Sequence, residues 1–252
     1  MASQSNIEWT EFTWNPTTGC TKISAGCKFC YAERWALMHQ KRGILQYQDG
    51  FLLTLAPSRL EEPLKLPGHR LIFVNSMSDL LHPDVPDEYL FRVFQVMNEA
   101  TRHTFQVLTK RPERLLDLKK KVDLPDHVWI GVSVENAETV YRIRDLQKAG
   151  IKNSFISFEP LISAIPHINL LGIRWVIVGG ESGPHIRPLL PEWVRQIRIN
   201  CKAFDTPFFF KQWGAKRNNP DKGDPTLMKG HQYYAMGGCQ LDGQIFRELP
   251  IF

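Results

Sequence analysis

The sequence predicts an α/β protein whose strands form a full or partial parallel barrel, followed by an irregular C-terminal extension. Short runs rich in β-branched and aromatic residues alternate with helical patterns, which is typical of parallel βαβ units. Seven such runs precede Trp213, and this number fits a barrel better than an open doubly wound sheet. After Trp213 the chain becomes rich in Gly, Lys and Asn and loses any helical period.

The seven predicted strands are short, and most of them are apolar. Residues 7–14 alternate in character, whereas 71–74 and 175–178 are continuous apolar runs, as expected for parallel strands buried on both faces. The predicted strands occupy residues 7–14, 71–75, 104–108, 128–134, 153–158, 175–178 and 207–211.

Five helices are predicted between these strands. The second places Leu90, Val93 and Met97 on one face, which indicates packing against the sheet. The third has Pro112 near its first turn, and the fourth ends before Gly150, a frequent C-terminal cap. The predicted helices occupy residues 30–40, 87–100, 112–121, 137–149 and 191–203.

These elements predict a barrel over residues 1–213 and a C-terminal extension over 214–252 that packs on or over it. The extension is expected to contain a hairpin around residues 241–243. Its cations and aromatic residues suit either a lid or nucleic-acid-binding segment, or ordinary packing onto the barrel. The residues concerned are Lys216, Arg217, Lys222, Tyr233 and Tyr234.

Composition and charge set broad limits on function. Of the 252 residues 43% are hydrophobic and 23% charged, which is ordinary for a soluble globular protein. No apolar run approaches the roughly 20 residues of a membrane span, and the polar start that contains Glu8 is not a secretory signal. We therefore expect a cytoplasmic protein without membrane contact. The net charge of +5 and the pI near 8.9 are compatible with a polyanionic partner but do not require one.

Three of the five cysteines are closely spaced, as Cys20-x6-Cys27-x2-Cys30, between the first strand and the first helix. In a cytoplasmic chain this pattern indicates metal binding sooner than a disulfide framework. Three thiolates can ligate three irons of a [4Fe–4S] cluster and leave the fourth iron open.

A structural zinc ion is the main alternative, with His39 or Cys239 as the fourth ligand. Zinc sites commonly contain a second close pair of ligands, and the sequence has none, so the cluster is favoured. Cys201 lies among apolar residues of a predicted helix and is expected in the core. Cys239 allows either a structural or a metal-binding role.

Five stretches of the sequence resemble the radical S-adenosylmethionine (radical SAM) superfamily. More narrowly, they resemble an uncharacterised family of radical-SAM-like proteins from phages and bacteria. The stretches are residues 13–16 (TWNP), 27–33 (CKFCYAE), 178–183 (VGGESG), 210–214 (FKQWG) and 241–243 (LDG). Together they span nearly the whole chain.

The resemblance implies a partial (β/α)6-type parallel barrel and a [4Fe–4S] cluster held by Cys20, Cys27 and Cys30. It also implies that S-adenosylmethionine (AdoMet) chelates the open iron and is cleaved by reduction to methionine and a 5′-deoxyadenosyl radical. The first cysteine gap is six residues where the superfamily usually has three, and a longer loop can still enclose a cluster. A flavodoxin- or ferredoxin-type electron donor is expected. The phage association suggests a nucleotide or nucleic acid as substrate, by analogy.

Polar residues at the predicted strand ends complete the predicted site, because chemistry in such barrels collects at the carboxyl ends of the strands. Asn136 could instead cap the following helix, and Ser78 with Asp79 could form only a turn. The resemblance places Phe29 near the adenine of AdoMet. The predicted cofactor-binding residues are Phe29, Ser76, Ser78, Asp79, Ser133, Glu135, Asn136, Glu159, Gly179, Gly180 and Glu181.

Cations and polar residues at other strand ends are predicted to bind substrate. Glu159 closes an apolar strand and would be buried without a partner, unless Lys110, Arg111 or Lys211 supplies one. Lys110 and Arg111 are also candidates for phosphate contact. The predicted substrate-binding residues are Lys110, Arg111, Lys211, Gln212 and Trp213. No catalytic residue is predicted, and the sequence gives no oligomeric state.

Overall fold

The chain alternates strands and helices along most of its length in a computed structural model that describes residues 3–251. The strands and helices are β1 (Ser3–Gln4), β2 (Phe12–Trp14), β3 (Thr17–Thr18), α1 (Tyr31–Lys41), β4 (Thr54–Leu55), β5 (Leu71–Val74), α2 (Asp87–Glu99), β6 (Thr104–Thr109), α3 (Leu115–Lys121), β7 (Val128–Ser133), α4 (Tyr141–Ala149), β8 (Ser154–Phe158), β9 (Trp175–Gly179), α5 (Pro191–Ala203), β10 (Phe208–Gln212), β11 (Gln240–Leu241) and β12 (Gln244–Ile245). Short 3-10 turns cover Ala25–Cys27, Leu45–Tyr47, Pro57–Arg59, Pro63–Lys65, Pro112–Arg114, Ala137–Thr139 and Pro225–Leu227.

The central sheet has eight strands in the order β1-β2-β5-β6-β7-β8-β9-β10. Strands β2 and β5 to β10 are parallel, and β1 pairs antiparallel with β2 at one edge. Helices α2, α3, α4 and α5 lie in the connections of the parallel strands, as expected for βαβ units. The predicted α/β class with a mostly parallel sheet is therefore confirmed. No helix among the described residues is long and apolar enough to cross a membrane.

Both faces of the sheet are buried. On β9, Val176 and Val178 belong to the large core between sheet and helices, whereas Trp175 and Ile177 belong to a second, mainly aromatic cluster. The second cluster contains Trp9, Phe73, Trp129, Phe155, Trp175, Ile177 and Phe209, and it is called the inner cluster below. Burial on both faces explains why the strand sequences are continuous apolar runs.

Trp9 shows that the sheet curves around the inner cluster. Its ring centroid lies 4.8 Å from that of Phe73 on β5 and 6.2 Å from that of Trp175 on β9. In a flat sheet β5 and β9 would be about 19 Å apart, because four strand spacings of about 4.8 Å separate them. One side chain can contact both strands only if the sheet wraps around it.

Gly131 on β7 is required by the inner cluster. A Cβ atom at this position would lie 2.5 Å from the Phe155 ring, closer than carbon atoms can approach. We expect Gly131→Ala to lower the free energy of unfolding by about 1–3 kcal/mol, measured by urea denaturation, because the core would be overpacked. Gly131→Ala combined with Phe155→Leu should recover part of the loss. The loop variant Gly223→Ala is the control, and equal stability of all these variants would contradict the packing argument.

The segment after β10 lies along the edge of the barrel. The backbone N–H of Phe210 donates to Phe246 O (2.7 Å) and that of Trp213 to Gly238 O (3.0 Å). The predicted hairpin is present as β11 and β12, with Asp242 and Gly243 at positive φ in the turn. The division into a barrel (1–213) and an extension (214–252) stays a prediction, and Met1, Ala2 and Phe252 lie outside the described residues.

Candidate metal and cofactor site

A cavity of about 330 Å³ opens at the carboxyl ends of the parallel strands. Its size is within the range of small-molecule sites. The predicted site residues that line it are Cys20, Cys27, Cys30, Ser76, Ser78, Asp79, Lys110, Ser133, Glu159 and Lys211. The predicted site residues that are not among its lining are Phe29, Arg111, Glu135, Asn136, Gly179, Gly180, Glu181, Gln212 and Trp213.

The three closely spaced cysteines reach the cavity from different local structures. Cys20 follows β3, and its backbone N–H donates to Phe51 O (3.1 Å). Cys27 ends the 3-10 turn Ala25–Cys27, and Cys30 immediately precedes α1. All three are partly exposed free thiols. Burial, with a smaller contribution from Asp79, raises the pKa of the Cys20 thiol to about 11.

The two predicted fourth ligands of a zinc ion, His39 and Cys239, lie away from the three closely spaced cysteines. His39 follows Cys30 by nine residues along α1, which is about 13 Å at 1.5 Å per residue, too far for both to ligate one ion. Its ring stacks on Tyr47 at 5.1 Å. Cys239 is buried with its thiol 3.4 Å from Tyr233 O and does not line the cavity. Within residues 3–251, no three His, Cys, Asp or Glu side chains are placed to hold one metal ion. The three closely spaced thiols nevertheless line one cavity.

The polar turn after β5 lines the cavity, but most of its side chains bind other parts of the chain. Ser78 Oγ donates to Gly19 O (2.6 Å), next to Cys20. Asp79 accepts from Thr109 Oγ1 (2.7 Å) and from the backbone N–H of Lys110 (2.9 Å). Ser76 donates to Asn15 at 3.2 Å. The turn therefore connects the cysteine segment to the ends of β5 and β6, and its contacts to a cofactor stay a prediction.

At the end of β7, two predicted cofactor-binding residues have protein partners. Glu135 is fully buried and accepts hydrogen bonds from Arg142 Nη1 (2.9 Å) and Ser24 Oγ (2.8 Å), with Lys110 Nζ at 3.5 Å. Asn136 forms a capping box with Thr139, its Oδ1 accepting from the Thr139 N–H at 3.2 Å. The alternative interpretation of Asn136 as a helix cap is thus observed.

Lys211 is the partner of Glu159. Its Nζ lies 3.0 Å from Glu159 Oε1 and 3.9 Å from Glu8 Oε2, and Ser157 Oγ donates to Glu159 Oε2 at 3.0 Å. Burial alone would lower the pKa of Lys211, but the carboxylates of Glu159 and Glu8 outweigh it and raise that pKa above its ordinary value. Lys211 is therefore a fixed positive charge at one wall of the cavity.

Glu8 gives a pH-dependent prediction. Burial, together with Glu159, raises its pKa, and Lys211 and Arg247 only partly oppose this. A carboxyl group with a raised pKa binds more protons in the folded than in the unfolded chain, so stability falls as pH rises from the ordinary through the raised pKa. We expect Glu8→Gln to lack this fall.

The test measures the free energy of unfolding of both proteins by urea denaturation over a series of pH values. The stability of Glu8→Gln relative to the wild type should be greater at neutral pH than at acid pH. The exposed Glu61→Gln is the control. Parallel pH profiles for Glu8→Gln and the wild type would contradict the assignment.

The residues at the carboxyl ends of β9 and β10 pack against other parts of the chain. A Cβ atom on Gly179 would lie 2.8 Å from Glu159 Oε1, and one on Gly180 would collide with Trp213 O. Gln212 Nε2 donates to Gly180 O at 2.8 Å. Trp213 is buried, and its indole N–H donates to a carbonyl of β11. The glycine pair therefore permits close packing of β8, β9 and β10.

The three remaining predicted residues are Phe29, Arg111 and Glu181. Glu181 accepts two hydrogen bonds from the guanidinium of Arg187, which lies 5.5 Å from the Phe29 ring centroid. Arg111 Nη2 donates to Thr21 Oγ1 at 2.7 Å. None of the three lines the cavity, and any contact with a ligand stays a prediction.

Several residues that line the cavity were not predicted from the sequence. Tyr31 directly follows Cys30 and donates its hydroxyl hydrogen to Ser76 O, and its place beside a cysteine could have suggested it. Ser157 also lines the cavity. Ser157 is an inward-facing polar position on an apolar strand, a signal that alternation along the strand could have given.

Solved structures of spore photoproduct lyase resemble this fold. A double mutant of that enzyme with bound AdoMet and dinucleoside spore photoproduct gives a TM-score of 0.52 at 10% identity. A complex with dinucleoside spore photoproduct gives a TM-score of 0.53 at 10% sequence identity. A point mutant gives a TM-score of 0.53 at 11% sequence identity. Each comparison covers 83% of this chain and 78% of the other. At this identity the likeness establishes the fold alone.

Sequence comparison gives two further findings. A search of curated proteins finds no match to this chain. The profile of a family described as "Protein of unknown function (DUF5131)" matches residues 4–250, almost the whole sequence. The chain therefore belongs to the DUF5131 family.

Proposed function

We propose that this protein is a radical SAM enzyme with a partial (β/α)6-type barrel. Cys20, Cys27 and Cys30 hold a [4Fe–4S] cluster, and AdoMet binds in the adjoining cavity. The observation that carries the proposal is the convergence of the three cysteines on a cavity at the carboxyl end of a parallel sheet. The fold shared with AdoMet-bound spore photoproduct lyase supports it.

When bound, the cluster would supply the electron that splits the sulfonium of AdoMet into methionine and a 5′-deoxyadenosyl radical. A one-electron donor of the flavodoxin or ferredoxin type would be required. The chain's own part is to hold the ligands and to keep water away from them. Trp9, Phe73 and Leu108 give the cavity an apolar lining that limits the access of water.

The charged wall of the cavity is proposed to orient the ligands. Lys211, held between two carboxylates, presents an ammonium group, while Glu159 keeps lone pairs for a donor on the ligand. Lys110 presents a second ammonium group from the end of β6. These groups are suited to a ligand that combines anionic and hydrogen-bonding groups.

We further propose that the substrate is a nucleotide or a nucleic acid. Some structures of spore photoproduct lyase hold a dinucleoside spore photoproduct on a similar fold. The net charge of this chain is +5, and Lys28 and Arg34 are exposed close to Cys27 and Cys30 in the sequence. The narrower resemblance to phage and bacterial radical-SAM-like proteins points to the same class.

The test is anaerobic reconstitution of the purified protein with iron and sulfide. We expect a brown protein that absorbs at about 400 nm and holds about four irons per chain. Addition of dithionite and AdoMet should then give 5′-deoxyadenosine, measured by chromatography. A colourless protein that holds one zinc ion and is unchanged by reconstitution would refute the proposal and favour a zinc-stabilised nucleic-acid-binding protein.

The substrate class is tested by adding single-stranded, double-stranded or ultraviolet-irradiated oligonucleotides and measuring the increase in 5′-deoxyadenosine.

A further inference from the structure

The loop between Cys20 and Cys27, residues 21–26, is attached to the barrel at three points. It is called the cysteine loop below. Much of the loop is exposed, and its regular structure is limited to the start of the short 3-10 turn Ala25–Cys27. An exposed loop of this kind would lose conformational entropy on binding a ligand, unless contacts with the rest of the chain had already ordered it.

The first attachment is at Thr21. Arg111 Nη2 donates to both Thr21 O (3.1 Å) and Thr21 Oγ1 (2.7 Å). Nε2 of His82 lies 2.8 Å from the same Oγ1. Arg111 and His82 are both buried, so these contacts connect the loop to groups that the barrel holds firmly.

The second attachment is at Ser24, whose hydroxyl group donates to Glu135 Oε1 at 2.8 Å. Glu135 is fully buried and fixed from its other oxygen by Arg142. Gly26 permits this approach, because a Cβ atom there would lie 2.5 Å from Glu135 Oε1. The backbone of Gly26 is not in the left-handed region, so the requirement for glycine comes from the buried carboxylate alone.

The third attachment is at Ala25, whose carbonyl oxygen accepts from Arg187 Nη1 at 2.8 Å. The other nitrogens of the same guanidinium donate to Glu181, with Nε 2.9 Å from Oε2. Glu181 follows β9 and is buried, so it fixes the guanidinium in the orientation that reaches Ala25.

We propose that Arg111, Glu135 and the Arg187–Glu181 pair are positioning residues that hold the cysteine loop in its ligand-binding form before iron arrives. The inference rests on the proposed function for the identity of the metal group. It explains how a gap of six residues can present Cys20 and Cys27 together, since charged groups from the ends of β6, β7 and β9 order the extra residues. It also gives Arg111, Glu135 and Glu181 a role that needs no contact with AdoMet or substrate.

The test uses the full-length protein with Ser24→Ala, Arg187→Lys and the triple variant that adds Thr21→Val. Ser24→Ala leaves the Glu135–Arg142 pair intact, and Arg187→Lys keeps the charge but loses the planar fork. The controls are Ser163→Ala and Arg195→Lys, which alter a half-buried serine and an exposed Arg–Asp pair elsewhere. Hydrogen exchange of the metal-free proteins is measured at the amides of Cys27 and Lys28, which donate to Ser24 O and Ala25 O.

We expect exchange at these amides to be about tenfold or more faster in the variants, as for the loss of a hydrogen bond to a charged group. The iron content after reconstitution should fall to less than half, while the controls match the wild type in both measurements. Unchanged exchange, or faster exchange with full iron content, would overturn the inference. A wild-type protein that takes up no iron would instead refute the proposed function, and the exchange data would still decide whether the three attachments order the loop.

Discussion

Replacing Cys20, Cys27 or Cys30 by alanine is expected to reduce the iron content of the reconstituted protein from about four atoms per chain to less than one. In the proposed cluster each thiolate would be the protein's only bond to one iron, and the polar cavity residues nearby include serines, Asp79 and cations, which ligate iron–sulfur clusters poorly. Formation of 5′-deoxyadenosine should fall below detection in the same variants. Iron is measured by colorimetric assay, and cleavage by chromatography.

Cys201 and Cys239 provide matched controls. Both are buried, Cys201 in the core between sheet and helices and Cys239 against the carbonyl oxygen of Tyr233. Cys201→Ala and Cys239→Ala should keep full iron content, although Cys201→Ala is expected to lose about 1 kcal/mol of stability because it leaves a small cavity. Full iron content in Cys20→Ala, or its loss in Cys239→Ala, would show that the metal is held elsewhere.

Replacing Arg142 by methionine is expected to lower the free energy of unfolding of the metal-free protein by about 3–5 kcal/mol. Arg142 is 1% exposed and pairs with Glu135, which is 0% exposed, so the variant would leave a buried carboxylate with a weaker set of partners. Lys110 at 3.5 Å should offset part of the loss, which places the effect toward the lower end of this range. Such a loss is a large part of the roughly 5–15 kcal/mol that stabilises a typical domain.

Urea denaturation measures this effect. Arg144→Met changes an exposed arginine on the same helix and should have little effect. The double variant Arg142→Met with Glu135→Met should recover most of the stability, because removing both buried charges is often neutral. If Arg142→Met is as stable as Arg144→Met, the buried pair does not have the assigned role. The double variant should nevertheless bind less iron, since Ser24 loses its acceptor.

Most of the fold could be predicted from the sequence because the strands are buried on both faces. Continuous apolar runs such as residues 71–74 suit strands buried on both faces, and Gly150 adopts the left-handed conformation expected of a helix cap. The first strand was predicted too long. Residues 7–14 alternate like a strand, but only Phe12–Trp14 pair with β5, because Trp9 turns into the barrel. Local alternation does not distinguish a strand from a segment whose ring fills an interior.

A cavity at the strand ends could be expected from the sequence, but the partners of each side chain could not. Some of the polar residues at the strand ends line one cavity with the cysteines, as is typical of parallel strands, and others do not. Whether such a residue faces a ligand or another protein group depends on contacts distant in sequence. Glu135 meets Ser24 across 111 positions, and Arg187 meets Ala25 across 162. No local pattern encodes such pairs.

The aromatic rings of the inner cluster also limit the directions from which a ligand can reach the cavity. Trp9, Trp175 and Phe209 fill the interior beside the cavity, so that a small cofactor and a larger substrate would share the mouth at the carboxyl ends of the strands. The ligand that binds deeper must then enter first and leave last. Under the proposed function, AdoMet would therefore bind before a nucleic-acid substrate and leave after it.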